Sequence, residues 1–359
     1  MNKNILLRIA KVAFLLFLMI GTALIIRNNR DKVKQSQTEW TTNEGKVFGT
    51  TYHITYHSAQ DMHDSILVAL AQVDSSLSMF NPESQVAKIN SNETDVMNLQ
   101  LKHLLAQSLE ISQKTDGSFD VTVAPLVNAW GFGFKNADNV SQAQIDSIMQ
   151  FVGYDKVHIN GDKLEKEYPR TMLDFSAIAK GYGVDQAAEV LERNGITDYM
   201  VEIGGEMRLS GKNKEKKDWS IGVQNPHKDG THTENNLQMI VSVSNCGIAT
   251  SGNYNRYYIK DGQKISHTID PSTGRPVTHN LLSATVRAKD CATADALATS
   301  FMVMGKDKAM QFLKAHKEYS AILIYAKEDG TLASAQFGEW IVKRNRKHEN
   351  GWRAEPQSI

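Results

Sequence analysis

The chain has 359 residues, 41% of them hydrophobic, enough apolar material for one large domain or two modest ones with a buried core. Forty Lys and Arg balance forty Asp and Glu, so no global positive field draws it to nucleic acid. Two cysteines, Cys246 and Cys291, exclude a disulfide scaffold and a cysteine-rich metal site but leave a single bridge open.

Ile5 to Ile26 is largely apolar, interrupted by Arg8 and Lys11, and its uncharged run extends from Val12 to Ile26. That length lies between a signal-peptide core and a full membrane span. Few small residues mark a cleavage site, and no cysteine follows for acylation. The expectation is a hydrophobic anchor helix or signal peptide over residues 1–27, with an uncleaved anchor favoured. A polar linker over 28–45, a folded body over 46–342 and a charged tail over 343–359 follow. The body is then expected outside the cytoplasmic membrane.

Lys46 to His57 alternates and is rich in β-formers, which predicts a strand. Ile66, Leu67, Leu70, Val73 and Leu77 recur at helical spacing, and a turn at Pro82 leads into a short helix. Gln100 to Thr115 reads as a second amphipathic helix, closed by the Asp116-Gly117 turn. Asp120 to Gly133 opens as a strand or as a helix entry at Pro125, and ends in a glycine–aromatic loop. Ser141 caps a helix to Phe151, and Lys156 to Leu164 folds back at Asn160-Gly161. A loop from Asp174 runs into a helix ending near Asn194-Gly195.

Strands are predicted over Tyr199–Ser210 and Trp219–Gln224, joined by a solvated turn carrying Lys212, Lys214, Lys216 and Lys217. Leu237 to Ser244 is a strand, Ile248 to Gly262 a loop, and Lys264 to Val277 a strand and turn. Strand Leu282–Lys289, helices Cys291–Met304 and Lys306–His316, and strand Ser320–Tyr325 complete the body. Short strands and hairpin signals, rather than regular βαβ units, favour an α+β fold with a mixed, largely antiparallel sheet flanked by helices.

Three stretches carry chemistry. DFSAIAKGYGVD, Asp174 to Asp185, sets small residues and glycines where a helix begins, which opens backbone N–H groups to an anion. TADALATSF, Thr293 to Phe301, puts Asp295 and Thr299 four residues apart on one helical face. A carboxylate and a hydroxyl suit magnesium, which keeps waters and takes further oxygens from phosphates. SHTIDPSTGRP, Ser266 to Pro276, combines His267, able to relay a proton near neutrality, with Asp270, able to hold its ring. Arg256 and the Thr250-Ser251-Gly252 turn offer phosphate or ribose contacts. Rings at Phe80, Trp130, Phe132 and Phe134 are suited to a flat heteroaromatic ligand or to core packing. No glycine elbow surrounds Ser251, which argues against a hydrolase nucleophile.

In chain order, GTTY, FDVTVAPLVNAWGFG, DFSAIAKGYGVD, VEIGGEMR, TSGNYNRY, SHTIDPSTGRPV and TADALATSFMVMG together resemble the FAD:protein FMN transferase family, the ApbE-type flavin transferases. The resemblance covers Lys46 to Tyr325 and implies an ApbE, T-fold-like domain. It implies magnesium-dependent transfer of the FMN half of FAD to a Thr or Ser hydroxyl of an acceptor protein, with release of AMP. The family's metal ligands would be the Ala179 carbonyl with the Asp295 and Thr299 side chains, and FAD would contact Phe48, Phe80, Ser118, Phe119, Asp120, Ser176, Tyr182 and Ile269. His267 matches the family's functional histidine, with Asp270 as its orienting carboxylate. Phe48 stands where the family usually has Met, and Phe80 where Tyr is frequent.

The implied partners are FAD and membrane redox subunits of the NqrB, NqrC and RnfG kind, recognised at a Ser/Thr-Gly-Ala-Thr-like segment. No nucleic acid is implied. The implied place is the inner membrane, with the catalytic domain on the periplasmic side. Two other outcomes use the same residues: an FAD pyrophosphatase with water as acceptor, and a non-catalytic FAD-binding protein.

Overall fold

The computed structural model describes residues 19–23, 26–27, 39–133, 140–224, 226, 237–253, 257–260, 263–345 and 354–355. The anchor expected over residues 1–27 lies mostly outside them, as do Phe134 and Arg256. No helix among the described residues is long and apolar enough to cross a membrane.

The strand expected over Lys46–His57 is a hairpin, β1 (Trp40–Val47) and β2 (Thr50–His57), paired from Trp40↔His57 to Val47↔Thr50. Phe48 and Gly49 form its turn with φ of 51° and 73°, the left-handed geometry a two-residue hairpin turn needs. A phenylalanine there hides the turn from sequence reading. Trp40 to Gly45, expected as linker, belong to β1.

Helices α1 (His63–Leu77), α2 (Gln85–Asn90) and α3 (Leu99–Lys114) follow. The Ser84 and Asn98 side chains cap the last two by accepting from Ala87 and Leu101 N–H. The Asp120 segment is a turn leading into α4 (Ala124–Ala129), and a capping box of Ser141 and Gln144 opens α5 (Gln142–Met149). β3 (Val157–Asn160) and β4 (Lys163–Lys166) form the expected hairpin, and α6 spans Ala179–Arg193.

The single strand expected over Tyr199–Ser210 is broken at Gly204-Gly205 (φ 59° and 101°) into β5 (Tyr199–Ile203) and β6 (Glu206–Ser210). Then come β7 (Trp219–Gln224), β8 (Leu237–Val243) and β9 (Cys246–Gly252). The last corrects the expected loop from Ile248. Its four leading residues are all buried, and burial between two layers, not β-propensity, makes this Gly- and Ala-containing segment a strand.

Small pairs β10 (Tyr257–Lys260) with β11 (Gln263–Ser266), and β12 (Ile269–Asp270) with β13 (Arg275–Pro276), precede β14 (Leu281–Ala288). Helix α7 (Cys291–Ala315) kinks where the sequence separates two helices, at Gly305 (φ 73°). β15 (Ser320–Ala326), β16 (Leu332–Phe337), β17 (Ile341–Asn345) and β18 (Ala354–Glu355) end the chain's described part, so residues 343–345 and 354–355 of the expected tail lie in strands.

Three layers result. The central sheet runs β1-β2-β5-β6-β9-β14-β15-β16-β18, antiparallel except for the β16–β18 pair. On one face Ile322 and Ile324 of β15 meet Ile221, Val223, Met239 and Val241 of the smaller β17-β8-β7 sheet. On the other, the alternate residues Ala321, Leu323 and Tyr325 join Leu297 and Phe301 of α7 in the main core. Helix α7 lies across β9 and β14, and α6 packs against α1, α7, β5 and β6. A Cβ at Gly247 of β9 would collide with the backbone of Asp290 and Cys291, so glycine lets the start of α7 close on the sheet. The α+β architecture with its largely antiparallel sheet is as expected.

Candidate functional site

The starts of α6 and α7 meet. The Asp185 carboxylate accepts from Cys291 N–H at 2.9 Å and Ala292 N–H at 2.8 Å, and Arg208 donates to it at 2.9 Å. A side chain from α6 thus satisfies two of the four orphan donors that open α7. Burial nevertheless pushes the Asp185 carboxyl up to about 7, with Asp290 adding to the rise and the three donors opposing it. Asp290 caps the same helix through Thr293 N–H.

One turn further along α7, buried Asp295 accepts from Gly181 N–H at 3.0 Å. A Cβ on Gly181 would run into the Cys291 carbonyl, so only glycine permits this approach. Beside it Lys180 makes a 2.6 Å ion pair with Glu206, the first residue of β6. Burial raises the Asp295 carboxyl, with Lys180 and the Gly181 N–H holding it back. Burial also pushes Glu206 up to about 7; the charge of Asp295 adds to this and Lys180 opposes it. Thr299, on the same face of α7 as Asp295, has its Oγ1 3.1 Å from Ser251 Oγ at the end of β9. Ala179 is the first residue of α6, two before Gly181.

The three expected metal residues therefore sit on two converging helices, Ala179 on α6 and Asp295 and Thr299 on α7, with Gly181 of α6 and Ser251 of β9 beside them. Among the described residues no group of three or more His, Cys, Asp or Glu is placed to hold a metal. The expected donor set contains one carboxylate, one hydroxyl and one carbonyl, and so is not of that kind. The surroundings suit a cation on independent grounds. Asp295 and Glu206 are both buried beside the single ammonium of Lys180, and Glu206 Oε2 is buried with no hydrogen-bond partner among the described residues. Two carboxylates against one ammonium leave negative charge that a divalent ion would neutralise.

The histidine loop is tied to this region. Thr268 Oγ1 donates to Asn253 Oδ1 at 2.6 Å, and Asn253 lies two residues beyond Ser251. Phe132 meets the His267 ring edge-on at 6.3 Å, and Trp130 Nε1 donates to the Gly274 carbonyl at 2.8 Å. Ile269 packs with Leu126 and Val152. Asp270, expected to orient His267, also bonds within its own turn. Its Oδ1 accepts from Ser272 N–H at 2.8 Å and Ser272 Oγ at 2.7 Å. Its short side chain, followed by Pro-Ser-Thr-Gly, folds back on its own turn.

The remaining expected positions spread around the same helix start. The Phe48 ring covers Gly183 of α6, where a Cβ would come within 2.5 Å of it. Tyr182 is buried, its ring 6.2 Å from that of His103. Ser176 is exposed just before α6, and its N–H donates to Asp174. Asp174 N–H donates to the Val121 carbonyl, which brings Ser118, Phe119 and Asp120 to this loop. Phe119 is buried, and the Asp120 carboxylate is spent on Thr122 and the Tyr154 N–H. Phe80 is 77% exposed. Sequence reasoning gave no role to Lys180, Glu206 or Asp185. The signal was present in the lysine and terminal aspartate of DFSAIAKGYGVD and in the glutamate after Gly204-Gly205. The two cysteines are separate buried thiols.

Residues 48–323 match the ApbE family, to which this chain belongs. It is 36% identical over 312 residues to a FAD:protein FMN transferase of Haemophilus influenzae, covering 82% of this chain and 89% of that protein. A FAD:protein FMN transferase of Escherichia coli is 34% identical over 326 residues, with 86% and 91% covered. Among solved structures, the flavin transferase ApbE of Vibrio cholerae superposes with a TM-score of 0.75 at 33% identity, covering 83% of this chain and 97% of that one. The flavinyl transferase ApbE of Pseudomonas stutzeri, in its apo form, gives 0.75 at 30%, covering 84% and 95%.

Proposed function

We propose that this chain is a FAD:protein FMN transferase that moves the FMN half of FAD onto a Thr or Ser hydroxyl of an acceptor protein and releases AMP. The observation that carries the reading is the convergence of Gly181, Asp295, Thr299 and Ser251 at the joined starts of α6 and α7. Small residues and glycines at that helix start suit an anion, and a buried carboxylate beside a hydroxyl suits a hard cation. Relatives of this name covering most of both chains support the same reaction.

The Ala179 carbonyl and the Asp295 and Thr299 side chains would hold magnesium, which when bound would supply Lewis-acid stabilisation of charge on the diphosphate. The chain's own residues do the rest. Phe48, Tyr182 and Ile269 bind and orient the dinucleotide, and exposed Phe80 offers a ring face to the flavin. His267, held edge-on by Phe132, accepts the proton of the acceptor hydroxyl. The hydroxyl oxygen bonds to the FMN-side phosphorus, the bridging P–O bond breaks, and the electron pair leaves with AMP. Phosphoryl transfer needs little covalent help, so positioning by the two helix starts is the main contribution.

The acceptors are redox subunits carrying a Ser/Thr-Gly-Ala-Thr-like segment, and the apolar run from Val12 to Ile26 tethers the domain to the inner membrane on the periplasmic side. Incubation with FAD and magnesium, with and without acceptor, tests the reaction. Transfer gives AMP only with acceptor present, whereas release of AMP and free FMN from FAD alone makes the protein a pyrophosphatase.

A further inference from the structure

Glu206 is a buried acidic side chain beside Asp295 that the proposed reaction does not use. It begins β6 directly after the Gly204-Gly205 turn, and only 4% of its side chain is exposed. One oxygen, Oε1, takes the Lys180 ammonium at 2.6 Å; the other, Oε2, is buried and has no partner among the described residues. A buried carboxylate oxygen without a donor is costly, and folded proteins rarely tolerate one unless a water or ion fills the place. Lys180 keeps about a third of its side chain exposed (36%), whereas the carboxylate that it binds is enclosed. Charge points the same way. Asp295 and Glu206 interact repulsively, and Lys180 serves both.

We propose that Glu206 is a further residue of the divalent-cation site. Its Oε1 anchors Lys180, and its Oε2 accepts from a water bound to the ion held at Asp295 and Thr299. Magnesium-type ions keep several waters, and carboxylates that receive those waters tune affinity without touching the metal. The inference rests on the reading of Asp295 and Thr299 as cation ligands. It also gives Lys180 a defined effect: its positive charge opposes cation binding, in proportion to its closeness to the two carboxylates.

Titration of the full chain with manganese, following the free ion by electron paramagnetic resonance and without FAD, tests this. Wild type binds manganese. Glu206→Gln, which keeps the shape and removes the charge, raises the dissociation constant about tenfold. Lys180→Met binds at least as tightly as wild type, because Glu206 is then released from its ammonium. Circular dichroism in the presence of chelator checks that each variant is folded. Should Glu206→Gln not fold, Glu206→Asp, which withdraws the carboxylate by one methylene, must show the weakened binding instead. Unchanged affinity in a folded Glu206 variant overturns the inference while leaving the cation site standing. Equal weakening by Lys180→Met also overturns it, since Glu206 would then act only as a support for the lysine. Absence of manganese binding by wild type removes the cation site itself and the inference with it.

Discussion

The main-chain N–H of Gly181 donates to the carboxylate of Asp295 at 3.0 Å, joining the first turn of α6 to the second turn of α7. Two motifs more than a hundred residues apart in sequence are thereby fixed to one point. Gly181→Ala sets a methyl group against the Cys291 carbonyl, a backbone atom that cannot swing aside. Overpacking of this kind costs about 1–3 kcal/mol, and the helices must part to relieve it. Urea unfolding should show that loss, and manganese affinity should fall with it.

Asp295→Asn retains a neutral acceptor for Gly181 and removes the charge. The folded protein should persist, with transfer at saturating FAD reduced about a hundredfold, the scale of losing one preorganised electrostatic group. Full turnover at low magnesium would take Asp295 out of the cation site.

His267 and Asp270 should separate cleanly. His267→Gly is expected to lower transfer by about 10²–10⁴-fold, the usual contribution of a general base, while FAD binding measured by flavin fluorescence is retained. Asp270→Ala loses only the turn bonds to Ser272, at about 1 kcal/mol of stability. Its pH–rate profile should match that of wild type. A displaced profile would restore Asp270 as the partner of the histidine.

Burial raises the Asp185 carboxyl from its ordinary value of 3.8 to about 7. Between those two values the folded chain holds a proton that the unfolded chain has released, so this group's contribution to stability falls as pH rises. It is fully favourable below about 4 and is lost on passing through about 7. The melting temperature of Asp185→Asn should therefore vary less steeply between pH 5 and 7.5 than that of wild type. Equal slopes would show that the Cys291, Ala292 and Arg208 donors outweigh burial and keep the carboxylate ionised.

Periodic helices and capped ends were readable from the sequence: α1, α3 and α5 begin and end within a few residues of expectation, and Gly305 divides α7 where the pattern breaks. What was misread depends on backbone geometry that composition does not carry. Phe48 occupies a left-handed turn position usually held by Gly or Asn, so the first hairpin read as one strand. Cys246 to Ala249 look unlike a strand because both faces are buried by other layers. In the site, the Asp295–Thr299 spacing was visible because one helical turn sets it. The Lys180–Glu206 pair was not, because it joins α6 to β6 through tertiary packing alone. Asp270 reads as a histidine partner by proximity in sequence, and its bonds to Ser272 depend on a turn geometry that the sequence does not show.

The central claim is tested most directly by mixing the full-length protein with FAD and an acceptor bearing a Ser/Thr-Gly-Ala-Thr-like segment, then reading covalent flavin fluorescence in a denaturing gel. With magnesium the acceptor band should fluoresce; chelator or loss of the acceptor hydroxyl should abolish it, and Asp295→Asn should form it about a hundredfold more slowly. A fluorescent band of equal strength under chelation, or free FMN and AMP with no labelled acceptor, would contradict the account.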